Sequence, residues 1–346
     1  MNNYFCVLPF YSQEINGLSS KSTPCCLLPI DADLNTLKQE MLNGQRPSAC
    51  QKCWDIEDQG RKSDRQIKNE AFDYYANKDI ITIEEECQQG HHSTQIVKLY
   101  TSNLCNSTCV TCGSSASSAW ATLRKQKTFQ IISNDALDPI DYKNLKMLSF
   151  VGGEPLLEKK NFYVLEKLLE HNNSDCFISF VTNSSVSLND NQKNILSKFK
   201  KVNICLSIDG IESRFEYMRY PLGWNLLLEN LEFFRSLNFN ISASYVISNI
   251  NAIYYQETID WFKKEKILHN HIVVSYPSYF SPQHLPFEIK KKLNNPLIPQ
   301  VTNELDNVKF DEAIQELKTQ DYLKKINIKD YMPEFFEIIQ EKYLSN

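Results

Sequence analysis

From residue 96 onward, short apolar runs alternate with stretches whose apolar residues recur every three or four positions. That pattern predicts strands alternating with amphipathic helices. Strands are expected near 96–102, 146–151, 176–182, 202–208, 240–247 and 271–276. Between them, Phe162, Leu165, Leu168 and Leu169 share one helical face, as do Trp224, Leu227, Leu228, Leu231 and Phe234. Six such units give an α/β fold, a partial (β/α)6 barrel, with the loops after each strand at one mouth where sites are built. Upstream, Asp33 caps a helix carrying Leu34, Leu37, Met41 and Leu42, and Gly44 ends it. Residues 55–95 read as a helix and an extended connector. Downstream, Phe310, Ile314 and Leu317, then Phe335, Phe336, Ile338 and Ile339, mark helices that pack over the barrel, with Pro333 starting the last. The expected division is 1–70, a small cysteine-rich domain; 71–95, a connector; 96–284, the core; and 285–346, a C-terminal helical extension.

Composition sharpens this picture in one respect. At 346 residues, 42% hydrophobic and 23% charged, the chain is of ordinary globular make-up. A net charge of −5 carries no strong nucleic-acid signal and no attraction to anionic membrane. The basic runs Lys198–Lys201 and Lys290–Lys292 read as solvated faces. No apolar run reaches the ~18 residues of a membrane span, and the N-terminus lacks the basic start and apolar stretch of a signal peptide. The expectation is a cytoplasmic protein, where thiols stay reduced. Eleven cysteines there point to metal or catalytic use.

Seven of the eleven form two sets. Cys105, Cys109 and Cys112 follow the first expected core strand at spacing Cys-x3-Cys-x2-Cys. Three thiolates hold three irons of a [4Fe-4S] cluster and leave the fourth open, as a catalytic metal keeps one position for its substrate. A zinc site borrowing His91 or His92 is the plainer alternative. Cys6, one of Cys25 or Cys26, Cys50 and Cys53 make a complete four-thiolate set, whose closed coordination suits electron transfer or structure, with four-cysteine zinc as its alternative. Cys87, among Glu84, Glu85 and Glu86, reads as a bystander.

Strand ends carry the remaining candidates. Gly152 and Gly153 let the backbone approach a ligand, and their carbonyls can accept bonds from an ammonium group. Thr182 and Asn183 end the third core strand. Alternation puts Asn203, Cys205, Ser207 and Asp209 on one face of the fourth and Ile204, Leu206 and Ile208 on the other. Arg219 suits a carboxylate, with a surface salt bridge as the alternative. Cys205, His269, His271 and His284 read more readily as structural residues than as reactive ones.

The three-cysteine motif, with Gly152-Gly153-Glu154-Pro155, Thr182-Asn183 and Ser207-x-Asp209-Gly210 downstream, resembles the radical S-adenosylmethionine (SAM) superfamily. The resemblance covers roughly 96–280. It implies that the open iron chelates SAM, that reduction cleaves SAM to methionine and a 5′-deoxyadenosyl radical, and that the radical abstracts hydrogen from a substrate. It implies Cys105, Cys109 and Cys112 as catalytic cluster ligands and Gly152, Gly153, Glu154, Thr182, Asn183, Ser207, Asp209 and Arg219 as SAM contacts. Ser184 stands where that family often has glycine. The N-terminal cysteines resemble the SPASM/twitch domains attached to such enzymes, although here they precede the core. That likeness implies a second, auxiliary [4Fe-4S] cluster at Cys6, Cys25 or Cys26, Cys50 and Cys53. The implied partners are a peptide or protein substrate, or a sugar or other small molecule that is dehydrogenated or rearranged, and an external electron donor such as flavodoxin or ferredoxin. The rival from another class is a non-enzymatic iron–sulfur or zinc scaffold that transfers electrons.

Overall fold

Parallel strands are buried on both faces, and the apolar runs meet that demand: Val97, Leu99, Leu148, Phe150, Ile178, Phe180, Ile204 and Leu206 are fully buried. The structure is a computed structural model that describes residues 3–16, 22–29, 31–76, 78–127, 131–293, 295, 297–298 and 306–345. The expected N-terminal and C-terminal regions also include residues 1–2, 17–21, 30, 294, 296, 299–305 and 346, which lie outside the described residues. The chain is α/β and forms two compact units. One comprises Met1–Ser102, Gln130–Phe180 and Asn189–Val202; the other comprises Asn103–Phe129, Val181–Leu188 and Asn203–Asn346. Among the described residues no helix is long and apolar enough to cross a membrane.

In the first unit, β1 (Ser12–Asn16), β2 (Ile96–Tyr100), β3 (Met147–Val151) and the start of β4 (Phe177–Thr182) lie side by side in chain order, all parallel. The helix Lys159–Glu170 covers them with Phe162, whose ring stacks on Phe180 at 6.1 Å. Two buried bonds tie the end of β2 to that helix and its cap: Thr101 Oγ1 to Asn161 Oδ1 at 2.8 Å and Ser102 Oγ to Glu158 Oε2 at 2.7 Å. Around the N-terminus, Phe5, Phe10, Tyr11, Leu37, Met41, Phe72, Ile83 and Cys87 build a separate hydrophobic cluster. Cys87 is thus a core residue. Asp33 caps Leu34–Leu42 by accepting from Asn35 N, and Gly44 follows at φ +71°.

In the second unit, β5 (Val202–Ser207), β6 (Asn240–Ile247) and β7 (Leu268–Val273) are parallel, with Cys205 opposite Ser242 and Ser242 opposite Leu268. On one face, His269 and Tyr245 pack on Phe262 of the helix Tyr255–Lys264. The other face presents Asn203, Cys205 and Ser207, then Ser242 and Ser244, then Leu268, Asn270 and Ile272. Leu268 is 80% exposed and Ile272 46%, so this face offers apolar surface beside hydroxyls.

Four expectations need correcting. Ser12–Asn16 is a strand that the sequence pattern did not announce, because only Ile15 is buried; its pairing comes from β2 and from Glu14, which Lys98 meets at 3.1 Å across the ladder. The last strand runs Leu268–Val273, three residues earlier than expected, because His269 and His271 pack as aromatic rings rather than as loop residues. Residues 64–88 hold two helices, Asp64–Ala76 and Ile80–Gln88, in place of one helix and an extended connector. Asp79 caps the second by accepting from Ile81 N and Thr82 N. Lys290 is not on a solvated face: it is 1% exposed and bonds Asp306 Oδ2 at 2.6 Å, with His284 Nδ1 3.1 Å from the other oxygen. A lone apolar environment would expel that charge; Asp306 retains it.

Gly152 has φ +117°, and a Cβ there would stand 2.7 Å from the Ser102 carbonyl oxygen. Gly152→Ala should therefore cost about 1–3 kcal/mol in strain, read as a lower urea midpoint than for Gly153→Ala measured alongside it.

Candidate cluster-binding site

The cysteine loop of the second unit begins just after β2 and is held by backbone bonds on either side of Cys109. Thr108 N donates to Tyr220 O at 2.6 Å and Val110 N to Met218 O at 2.9 Å. Trp120, fully buried in the helix Ser118–Leu123, donates from Nε1 to Cys109 O at 2.9 Å, and Ser117 caps that helix while donating to Ser107 O at 2.6 Å. Cys109 is buried by this grip, Cys105 is half-buried and Cys112 is exposed. Ser107 Oγ lies 3.2 Å from Cys105 Sγ and 3.4 Å from Cys109 Sγ, and Asn183 Nδ2 lies 3.9 Å from Cys105 Sγ.

The electrostatics favour one thiolate. A hydrogen bond from Cys112 holds Cys109 below its ordinary value, aided by the Arg219 guanidinium and Ser107, and Cys112 is raised in turn. Arg219 Nη1 is 3.9 Å from Cys109 Sγ, and Arg219 Nη2 pairs with Asp209 Oδ2 at 2.8 Å. This is a buried ion pair and not the surface salt bridge weighed as an alternative. Arg219 Nε has no hydrogen-bond partner among the described residues. Asp209 Oδ1 accepts from Val246 N at 3.0 Å, and Asn251 Nδ2 donates to Asp209 O at 2.9 Å.

Other expected residues fall as follows. Thr182 and Asn183 are buried, and Thr182 Oγ1 accepts from Ser184 N at 3.0 Å. Ser184 adopts φ +66°, the left-handed conformation that glycine takes most easily, and its carbonyl accepts from Asn230 Nδ2 at 2.6 Å. Ser207 is buried opposite Ser244. Cys205 is half-buried with its thiol pushed up by burial, so it stays neutral. In the first unit, Gly152 is exposed, Gly153 N donates to Ser102 O at 3.1 Å, and buried Glu154 accepts Leu156 N at 3.0 Å.

The N-terminal cysteines lie within the first unit. Cys6, Cys25, Cys50 and Cys53 line one pocket with Leu8 and Leu28. Burial pushes Cys50 up to about 11 and raises Cys6 and Cys53. Arg65 adjoins them, bonding Glu57 at 2.7 Å and Phe5 O at 2.7 Å. Cys26 is exposed; a bond from Cys25 and then the charge of Lys98 hold it below its ordinary value, and Cys25 is raised. Among the described residues no three His, Cys, Asp or Glu side chains converge on a single-ion site. Both sets nevertheless suit a cluster in donor chemistry: soft thiols, one set in an apolar pocket and the other beside a cation.

Sequence reasoning missed Ser107, Trp120, Gln320 and Lys324. Ser107 was legible from its place between two cysteines. Lys324 lies 204 residues from Trp120 and 215 from Cys109, and no local spacing marks it. It is buried, which lowers it to about 8, with its Nζ 4.8 Å from the Trp120 ring centre.

Comparison with known proteins agrees with the cluster reading. Residues 94–219 match the family model described as a 4Fe-4S single cluster domain. The iron–sulfur recognition made from the cysteine loop is borne out at that level. An uncharacterized protein of Methanocaldococcus jannaschii is 29% identical over 175 residues, 47% of this chain and 56% of its own length. Among solved structures, native anSMEcpe with bound AdoMet is similar at TM-score 0.43 and 18% identity, over 67% of this chain and 62% of that one. Streptococcus suis SuiB bound to the precursor peptide SuiA is similar at TM-score 0.39 and 14% identity, over 70% and 50%. The chain thus spans little more than half the length of the curated relative.

Arg219→Met leaves Asp209 buried without its cation and should cost about 3–5 kcal/mol. Urea unfolding of the cluster-free protein reads this loss, and adding Asp209→Asn should recover part of it.

Proposed function

We propose that the chain is a radical SAM enzyme that acts on a peptide or protein, with an auxiliary cluster assisting electron transfer. The observation that carries this reading is the presentation of Cys105, Cys109 and Cys112 on one anchored loop beside Arg219. Such a cluster, when bound, supplies one-electron cleavage of SAM and hence hydrogen abstraction from a substrate. On this reading the three thiolates hold three irons, and Arg219 and Ser107 stabilise the anionic sulfurs. Glu154 and the Gly152 and Gly153 carbonyls receive the SAM amino group. Asp209 holds Arg219 in place, and the unpartnered Arg219 Nε meets the SAM carboxylate. Thr182, Asn183 and Ser207 complete the contacts. The mixed face of β5–β7, hydroxyls beside exposed Leu268 and Ile272, suits a peptide whose backbone needs polar partners and whose side chains need apolar ones.

The N-terminal set holds the auxiliary [4Fe-4S] cluster, and Cys25 rather than Cys26 is its fourth ligand, because Cys25 shares the pocket of Cys6, Cys50 and Cys53. An external flavodoxin or ferredoxin supplies electrons, and the free cysteines suit a cytoplasmic setting. The division into 1–70, 71–95, 96–284 and 285–346 is retained as a functional one.

Anaerobic reconstitution tests the reading. Wild type should bind roughly eight irons and the Cys105/Cys109/Cys112→Ala variant about four. Only wild type should show a SAM-perturbed reduced spectrum and form 5′-deoxyadenosine with dithionite; absence of any SAM effect sinks the proposal. Separately, Cys25→Ser should lose about four irons while Cys26→Ser keeps them; the reverse result would move the ligand to Cys26.

A further inference from the structure

The helix Asp306–Lys324 was expected to pack over the core, yet its last two turns also bury the polar side chains Gln320, Asp321 and Lys324. Gln320, 1% exposed, donates from Nε2 to the carbonyl of Val110, directly after Cys109, at 3.0 Å. Its Oε1 accepts from Lys324 Nζ at 3.1 Å, so the amide is oriented with its donor end on the loop. Lys324 Nζ then sits in a box of Trp120, Tyr217 and Tyr220, at 4.8, 5.9 and 6.0 Å from the ring centres. Trp120 holds the Cys109 carbonyl and Tyr220 O receives Thr108 N, so two walls of the box themselves grip the loop.

A buried ammonium needs a compensating anion. Arg219 has Asp209, and Lys290 has Asp306. No carboxylate stands within ion-pair distance of Lys324 among the described residues; Asp321 is engaged by Tyr217 Oη, Tyr343 Oη and Ile328 N. The aromatic faces offset part of the cost. What remains is a buried cation behind a loop whose three thiols turn anionic on binding iron.

We infer that Gln320 and Lys324 are positioning residues of the catalytic cluster, an inference that rests on the radical SAM reading. Gln320 fixes the loop through the Val110 carbonyl. Lys324 supplies a positive charge that favours the more negative, reduced cluster, since net charge and hydrogen bonding set cluster potentials. The helix Asp306–Lys324 is on this account part of the redox site.

The test has two arms on the full-length protein. In reconstituted protein, a spectroscopic redox titration follows the SAM-responsive cluster, with the N-terminal cluster as internal reference. Lys324→Met should make the first about tenfold harder to reduce, about 59 mV for one electron, leave the reference unmoved, and be reversed by Lys324→Arg. Lys324→Gln should show the same shift if Lys324→Met fails to fold. Unchanged potentials, or equal shifts of both clusters, overturn the role of Lys324. In cluster-free protein, Gln320→Leu should speed amide exchange over residues 105–112 by about tenfold, the loss of roughly one buried hydrogen bond, with Asn240–Ile247 unaffected. Unchanged loop exchange overturns the role of Gln320. If no SAM-responsive cluster assembles in wild type, the radical reading itself fails, while the exchange arm still decides the contact.

Discussion

A carboxylate buried at the end of β5 holds the second unit's chemistry in place. Asp209 is 1% exposed, and water no longer solvates it. Its charge is supportable only because Arg219 lies at 2.8 Å and Val246 N donates to its other oxygen. Those two bonds join the end of β5 to β6 and to the segment after the helix Glu212–Met218. That helix's last residue, Met218, receives Val110 N from the cysteine loop, and Tyr220 just after it receives Thr108 N. One desolvated charge therefore links strand pairing, the guanidinium and the thiols. Removing either partner exposes the cost of the other, so the geometry around Cys109 is fixed to the extent that the pair is intact.

The two cysteine sets differ in their surroundings. At Cys109, a guanidinium, a serine hydroxyl and the Cys112 thiol all favour the thiolate, and Cys112 is open to solvent. That is a polar environment open to solvent at Cys112. At Cys6, Cys50 and Cys53, burial disfavours thiolates, with Leu8 and Leu28 in the pocket wall and Arg65 the nearby cation. An apolar shell limits solvent access there. Cys26 is exposed outside that pocket, hydrogen-bonded to Cys25 and beside the charge of Lys98.

Much of this was legible because it is local. The Cys-x3-Cys-x2-Cys spacing, the alternation of Asn203 to Asp209, the Asp33 cap and the stop at Gly44 each follow from residues within a turn or a strand of one another. β1 was not legible: Ser12–Asn16 has one buried apolar residue, and its strand character comes from a partner eighty residues away. The strand Leu268–Val273 was misplaced for a related reason, since His269 counts as apolar only when Phe262 stacks on it at 4.7 Å. Ser184 shows the reverse case. A residue poor at positive φ nonetheless adopts +66°, held by Thr182 Oγ1 and Asn230.

The sequence by itself determined the α/β character, the cysteine loop after a buried strand, the polar strand ends and the wealth of free thiols, because hydrophobic period and ligand spacing are properties of neighbouring residues. Tertiary structure alone decided that Arg219 is matched by Asp209, that Cys25 and not Cys26 joins the N-terminal pocket, that Lys290 is buried, and that Gln320 and Lys324 back the cysteine loop. Each of these depends on what a side chain meets after folding. Desolvation turns such meetings into large energies, and no spacing along the chain encodes them.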